Sequence, residues 1–448
     1  MSTQRETAGS LRANFSWTIA GNLFFSACSW AVLSLIAKLG TPEMVGQYTL
    51  AIAIVVPVMT FAQLQLRAIQ ATDVRGTYLF QHYFGLRVAA TCLAMLIILG
   101  VALKGAYSAT FSTFLLLVGL TESVESLSDI FYGLFQRQER MDRIAKSMAA
   151  RGLLSLLGII LGLALTHNLA WGLFGITAGR LTTLLLYDIP RGTRTVEAAD
   201  AVDPHGQPVS RKESVYPSLS PSILVRLSVL ALPMGLVLMI NAFTANLSRY
   251  VIAGFLGERE LGIFAASASI VGISRTVVGA LGQTASPRLA RCFAEGRSRD
   301  YWRLLRRFLF ISIIVGVAAV LVGVYAGRQI LTLLFQAEYA EGSRLLVWLL
   351  AGAAVANIQM WGGVGLTAAR QFRVQLPLSL LAALVNLGTN WWLVGKNGLV
   401  GAGQASLISA AVSTVAVFIV VRWALVFPGA ETSRRVVAAV VSENTNNS

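Results

Sequence analysis

Residues 39–55 read LGTPEMVGQYTLAIAIV, and residues 256–271 read LGERELGIFAASASIV. Each stretch is Leu-Gly, a short polar turn, a glutamate, a Gly, an aromatic residue and a long apolar run. Gly262 of the second copy lies 216 residues after Gly46 of the first. A turn stated twice at this separation points to a duplicated unit of about half the chain. What kind of unit it is depends on the sequence around both copies.

Hydrophobic residues make up 55% of the 448 residues, charged residues only 13%, and the mean hydropathy is +0.67. A water-soluble domain of this composition would expose large apolar patches. Apolar runs of 18 or more residues mark membrane-spanning helices, and the chain is a succession of them. The first run, 14–39, follows the polar stretch MSTQRETAGSLRA. It is too long for a signal-peptide core and lacks a small-residue cleavage site, so it reads as an uncleaved span. Cys28, Cys92 and Cys292 are odd in number and scattered, and His82, His167 and His205 do not cluster with them. The sequence therefore predicts no disulfide framework, no metal and no cofactor. The net charge of +15 is spread between the apolar runs, which suits orientation and anionic lipid headgroups and excludes a nucleic-acid-binding face.

Spans are expected near 14–39, 43–66, 82–103, 107–135, 147–166 and 169–189, then near 224–256, 261–285, 307–327, 343–368, 373–395 and 399–423. Between the two sets lies a Pro-, Ser- and charge-rich stretch, 190–221, that reads as a flexible linker. With the N-terminus inside, 27 of the 36 Lys and Arg fall on inner segments, 7 on outer ones, and Arg180 and Arg275 within spans. That bias places both termini in the cytoplasm. Both copies of the repeated phrase then fall in the outer turn between the first and second spans of a six-span half. Six is even, so the halves enter the membrane in the same direction, related by a pseudo-twofold axis along its normal. The expected architecture is all-α and polytopic, with about 12 transmembrane helices in two pseudo-symmetric six-helix bundles around a central cavity. Its parts are an N-terminal lobe 1–189, a cytoplasmic linker 190–221, a C-terminal lobe 222–427 and a cytoplasmic tail 428–448.

Such a cavity carries a polar group past hydrocarbon, so ionisable and amide side chains at membrane depth are the informative ones. The fourth span, LTESVESLSDIFYGLFQRQERM, puts Glu122, Glu125 and Asp129 on one helical face, extended by Gly119, Gly133 and Gln136. Three carboxylates do not face lipid. They either line the cavity as a coupling site for a proton or another cation, or hold helices together as an ion-pair network. Arg180, Arg249 and Arg275 are the arginines at depth, with Asn246 on the face of Arg249. Each either neutralises the acidic stripe or offers a planar donor fork to phosphate, and Arg249 alternatively snorkels to outer headgroups. Asn386 and Asn390 beside Trp391 and Trp392, and Gln359 with Asn357 and Trp361, suit sugar hydroxyls and ring faces. Interhelical hydrogen bonding and interfacial anchoring explain the same residues, the tryptophans especially.

Three stretches give the sequence a family resemblance: SRYVIAGFLGERELGIFAAS (248–267), GLFQRQERMDRIAKSMAARG (133–152) and LLFQAEYAEGSRLLVWLLAG (333–352). They resemble the Wzx-type oligosaccharide flippases of the multidrug/oligosaccharidyl-lipid/polysaccharide exporter (MOP) superfamily. The resemblance implies alternating access and transfer of an undecaprenyl-diphosphate-linked oligosaccharide across a bacterial inner membrane for O-antigen, capsule or exopolysaccharide. It also implies a polysaccharide polymerase and chain-length or export proteins as partners of a monomeric carrier. Arg249 best matches a family position, although Ser248 stands where the family often has an acidic residue. No GxxxxGK[ST] loop is present, so direct ATP drive is not expected. The alternative within the superfamily is a cation-coupled multidrug or toxin exporter, distinguished by an anionic instead of a cationic cavity. A membrane glycosyltransferase would need catalytic groups on a large outer loop, and the outer loops here are short, so no catalytic residues are assigned.

Overall fold

The computed structural model describes residues 11–73, 76–105, 107–200, 214–272, 292, 297–368 and 374–426. Among these residues there are helices and no strands. Helix α1 (Leu11–Leu39) and α2 (Pro42–Gln63) meet at the first copy of the repeated phrase, where Thr41 caps α2 through the Met44 N–H. A short α3 (Leu66–Thr72) leads to α4 (Phe80–Lys104), α5 (Ala109–Arg137), α6 (Met141–Thr166) and α7 (Leu169–Thr183). A π-helical turn, Leu184–Asp188, joins α7 to α8 (Ile189–Asp200). Then come α9 (Pro221–Leu256), α10 (258–272), α11 (Ser298–Leu334), α12 (Ser343–Ala368) and α13 (Gln375–Val426). Gly398, at φ 60° and ψ −142°, breaks α13 at the expected boundary between the eleventh and twelfth spans.

Nine helices among the described residues are long and apolar enough to cross a membrane. Helix α5 is not one of them, because Glu122, Glu125 and Asp129 interrupt its hydropathy. It is nevertheless a central helix, packing against α2, α3, α4, α6, α7 and α8. Polar side chains enter a membrane fold where protein surrounds them. The expected eighth span begins as α10, and its remainder, 273–285, lies outside the described residues. The first part of the stretch read as a linker is the ordered helix α8, because Val196 buries itself in the cluster built on Phe80, Phe131 and Phe135.

The chain divides into two compact units, 1–266 with 334–336, and 267–333 with 337–448. The first unit includes α9, which packs on α2 and α4. Within it the two repeated phrases cross. Gly46 lies so close to the Glu258 carbonyl, and Gly262 to the Pro42 carbonyl, that a Cβ on either glycine would overlap the opposing backbone. Pro42 and Glu258 are themselves 216 residues apart, so the two contacts are equivalents under a twofold. The Gln47 amide donates to Glu258 at 2.6 Å, and Arg259 lies 4.0 Å from Glu43. Gly257, at φ 90°, makes the reversal into α10 with a backbone that a side chain would strain. The Tyr250 hydroxyl donates to the Ala53 carbonyl farther along the α2–α9 contact.

In the second unit Trp361 of α12 is fully buried, stacked on Phe308 of α11 at 4.5 Å with 13° between the rings. Its indole N–H donates to Ser312 at 2.7 Å. A buried Trp finds such a partner because its N–H is otherwise stranded in an apolar setting.

Candidate functional site

Helix α5 presents its carboxylates to four arginines from four helices, α3, α4, α6 and α7. Asp129 holds Arg67 of α3 at 3.2 Å with one oxygen and Arg87 of α4 at 3.1 Å with the other. Glu125 pairs with Arg151 of α6 at 3.0 Å and Arg180 of α7 at 3.2 Å, and Arg180 reaches Glu122 at 3.2 Å. Arg87 and Arg151 are 0% and 1% exposed, so these are buried charges that survive only because they are paired. Aromatic faces extend the cage: Arg151 lies over Phe25 and Tyr132, and Arg67 over Tyr132 from another side. Arg67 also donates to Gln136, one turn beyond Gly133, which gives α3 room to approach.

The network contains one more carboxylate. Asp188 is fully buried at the end of the π-helical turn, and neither of its oxygens has a hydrogen-bond partner. The Ser128 and Ser147 hydroxyls and the Arg151 guanidinium surround it, with Ser147 bound instead to the Tyr132 hydroxyl at 2.7 Å. π-turns recur at functional positions in helices. Four carboxylates and four guanidiniums therefore share this cluster, and the three carboxylates of the α5 stripe are all ion-paired.

The predicted residues sort as follows. Glu122, Glu125, Asp129 and Arg180 come together in this one cluster, where Arg180 is occupied by two carboxylates. Arg249 of α9 stands apart: its guanidinium donates to Asn246 Oδ1 at 2.6 Å, and no carboxylate pairs with it among the described residues. Asn246 is buried and donates back to the Ala242 carbonyl. In the second unit, Asn390 is fully buried and donates to the Asn386 backbone and side-chain oxygens at 2.8 and 3.2 Å. Its own Oδ1 has no partner. Gln359 is half-buried on α12. Trp391 and Trp392 are both 63% exposed, and Lys396 lies over Trp392, an arrangement that suits interfacial anchoring. Arg275 lies outside the described residues. No group of three or more His, Cys, Asp or Glu among the described residues is arranged to hold a metal.

Four members of the cluster lie outside the residues the sequence singles out: Arg67, Arg87 and Arg151, which fall among the basic residues of the inner segments, and Asp188. All four lie inside helical segments, and Arg87, Arg151 and Asp188 are buried. For Arg87 a signal existed, since it sits two turns into an apolar helix with Thr91 one turn later. Thr91 indeed meets Ser126 at 3.1 Å, beside Arg87.

This is a multi-pass membrane protein with the fold of the MOP transporters. It aligns with an inward-facing multidrug-resistance MATE transporter at a TM-score of 0.68, 13% identical, over 91% of this chain and 98% of that one. With the lipid II flippase MurJ in an inward closed conformation the TM-score is 0.69 at 12% identity, over 91% and 87% of the two chains. Residues 233–392 match the MatE family model. It is also 23% identical over 405 residues to the capsular polysaccharide biosynthesis protein CapF of Staphylococcus aureus, covering 90% of this chain and 98% of that one.

Proposed function

We propose that this protein flips an undecaprenyl-diphosphate-linked oligosaccharide from the inner to the outer leaflet of a bacterial inner membrane, for assembly of a surface polysaccharide. The observation that carries the reading is Arg249, an arginine about 10 Å inside the end of α9 whose described partner is an amide and not a carboxylate. A charge at that depth is expensive, so it is retained where it serves a ligand, and a guanidinium fork matches phosphate oxygens. The acidic stripe gives the competing exporter reading little support, because its carboxylates are matched one for one by arginines and leave no net negative charge to gather hydrophobic cations. The name of the CapF relative and the lipid-linked cargo named for MurJ agree with this choice.

In this reading the prenyl tail stays in the bilayer and only the anionic, sugar-bearing head passes between two lobes by alternating access, with no catalytic step. Asn246, Asn386, Asn390 and Gln359 are candidate glycan contacts, and Arg275 a second candidate for the diphosphate. Both termini lie in the cytoplasm, and the carrier works as a monomer alongside a polymerase and chain-length or export proteins. The test reconstitutes the full chain in liposomes with a fluorescent undecaprenyl-diphosphate oligosaccharide and scores transfer between leaflets. Wild type should transfer above protein-free liposomes. Arg249→Ala should lower the rate at least about tenfold, as loss of one charge-assisted fork predicts. No transfer by wild type, together with efflux of cationic dyes, would favour the exporter.

A further inference from the structure

Helix α11 holds a feature that the flipping cycle as described does not use. Its first three turns carry Arg299, Trp302, Arg303 and Arg306 at i, i+3, i+4 and i+7, one helical face. These four side chains line a concavity of about 540 Å³, within the range of small-molecule sites. The opposite face is fixed in place: Tyr301 and Leu305 are buried with Trp361. Trp302 itself packs against that cluster and against Leu366, Val417 and Val421, so the indole is a held wall and not a loose surface ring. Asp300 is the acid in these turns, bound to Arg303 at 3.0 Å and 3.8 Å from Arg297. Arg306 spends its Nε on the Trp302 carbonyl, leaving the outer edge of its fork to the concavity. No carboxylate pairs with Arg299 or Arg306 among the described residues.

Depth decides what these groups can meet. The uninterrupted apolar part of α11 runs from Phe308 to Gly327, between Arg307 and Arg328, about the 30 Å of a hydrocarbon core. At about 1.5 Å per residue, Arg306 and Arg303 stand about 3–8 Å beyond its edge, within a headgroup layer of about 5–8 Å per leaflet. Arg299 stands about 13 Å out, past the phosphates of ordinary phospholipids. A headgroup that touches all three arginines must carry phosphate groups extending outward along the helix. A linear diphosphate does so, and a sugar beyond it would find the indole face.

We propose that the Arg299–Trp302–Arg303–Arg306 concavity is a docking site for the diphosphate head of a polyprenyl-linked glycan, on the leaflet where the cargo is loaded. The assignment rests on the flippase reading and its orientation, and it adds a site outside the residues to which that reading assigns transport. The arginines that merely orient a span would need charge alone. Here their spacing, shared concavity and graded depth match one elongated dianionic head.

The test is binding without transport. Full-length protein in phosphatidylcholine nanodiscs is titrated with undecaprenyl diphosphate and, separately, with phosphatidylglycerol. Three proteins are compared: wild type, Arg299→Gln, and the triple Arg299→Gln/Arg303→Gln/Arg306→Gln. All three positions are solvent-exposed, so the substitutions should leave folding intact, checked by an unchanged melting temperature. The expected result is a loss of at least about tenfold in diphosphate affinity for the triple variant and about threefold or more for Arg299→Gln. Phosphatidylglycerol binding should be unchanged in Arg299→Gln. If wild type binds the diphosphate and both variants bind it equally well, the site is overturned while the flippase reading stands. If both lipids lose affinity in parallel in Arg299→Gln, the patch is a general anionic-lipid contact and the proposal also falls. If wild type does not bind the diphosphate at all, the flippase reading fails with it.

Discussion

The crossing of the two repeated phrases gives the sharpest mechanical prediction. Gly46→Ala places a methyl group against the Glu258 carbonyl, and Gly262→Ala places one against the Pro42 carbonyl. Neither neighbour is the flexible tip of a side chain; each is backbone inside or at the start of a helix, so the helices themselves must part. Overpacking of this kind costs about 1–3 kcal/mol, which corresponds to a population shift of about 5–150-fold toward any state in which α2 and α10 are separated. In the proposed orientation this crossing lies on the outer side of the membrane. A cysteine at Ala53, which is fully buried against α9, reports the opening once Cys28, Cys92 and Cys292 have been replaced. A membrane-impermeant maleimide added from outside should label it about 5–150-fold faster in either glycine variant than in the parent. The two variants should behave alike, because the contacts are equivalents in the repeat. Gly254→Ala serves as the control, since a methyl there meets nothing. Unchanged labelling in both variants, with folding intact, would show that the crossing is not a gate; acceleration in only one would refute its twofold character.

The ion-pair cluster and the α3–α4 connection make further predictions. Glu125→Gln strips Arg151 of its carboxylate partner while Arg180 keeps Glu122, so thermal unfolding in detergent should show a destabilisation of about 3–5 kcal/mol. A loss under about 1 kcal/mol would mean that the aromatic cage of Phe25 and Tyr132 suffices for Arg151. Asp73, between α3 and α4, is a pH-dependent clasp. Burial pushes its carboxyl up, but the N–H groups of Tyr78 and Thr77 and the Tyr83 hydroxyl outweigh that and hold it below the ordinary carboxylate range. A lowered folded-state value contributes stability that is present at neutral pH and lost as pH falls through that value. Asp73→Asn should therefore melt below wild type at neutral pH, and the gap should narrow below about pH 4. A gap of constant size across that range would show that the carboxylate charge contributes nothing.

Much of the fold could be read from the chain because a bilayer admits few backbones: every long apolar run must close its own hydrogen bonds, so it is a helix. The gap expected between the eleventh and twelfth spans contains Gly398 and the turn of the second phrase contains Gly257, and both adopt a positive φ, which favours glycine. Periodicity likewise put Glu122, Glu125 and Asp129 on one face, and the cost of a carboxylate in lipid turned that face toward protein. Which partners they would meet was another matter. Asp129 finds Arg67 and Arg87 at separations of 62 and 42 residues, and Glu122 finds Arg180 at 58. No local pattern encodes such pairings.

The same limit explains Asp188, which no local pattern singles out and which is buried where α8 continues the chain past it. It also explains the repeated phrase. The sequence alone established that the turn occurs twice and in equivalent places; only the packing of α9 against α2 brought Gly46 and Gly262 against each other's backbone. A sequence fixes what each segment must hide from lipid, because that cost is local to the residue. It leaves open which surfaces hide one another, because that is settled by the summed contacts of helices far apart in the chain.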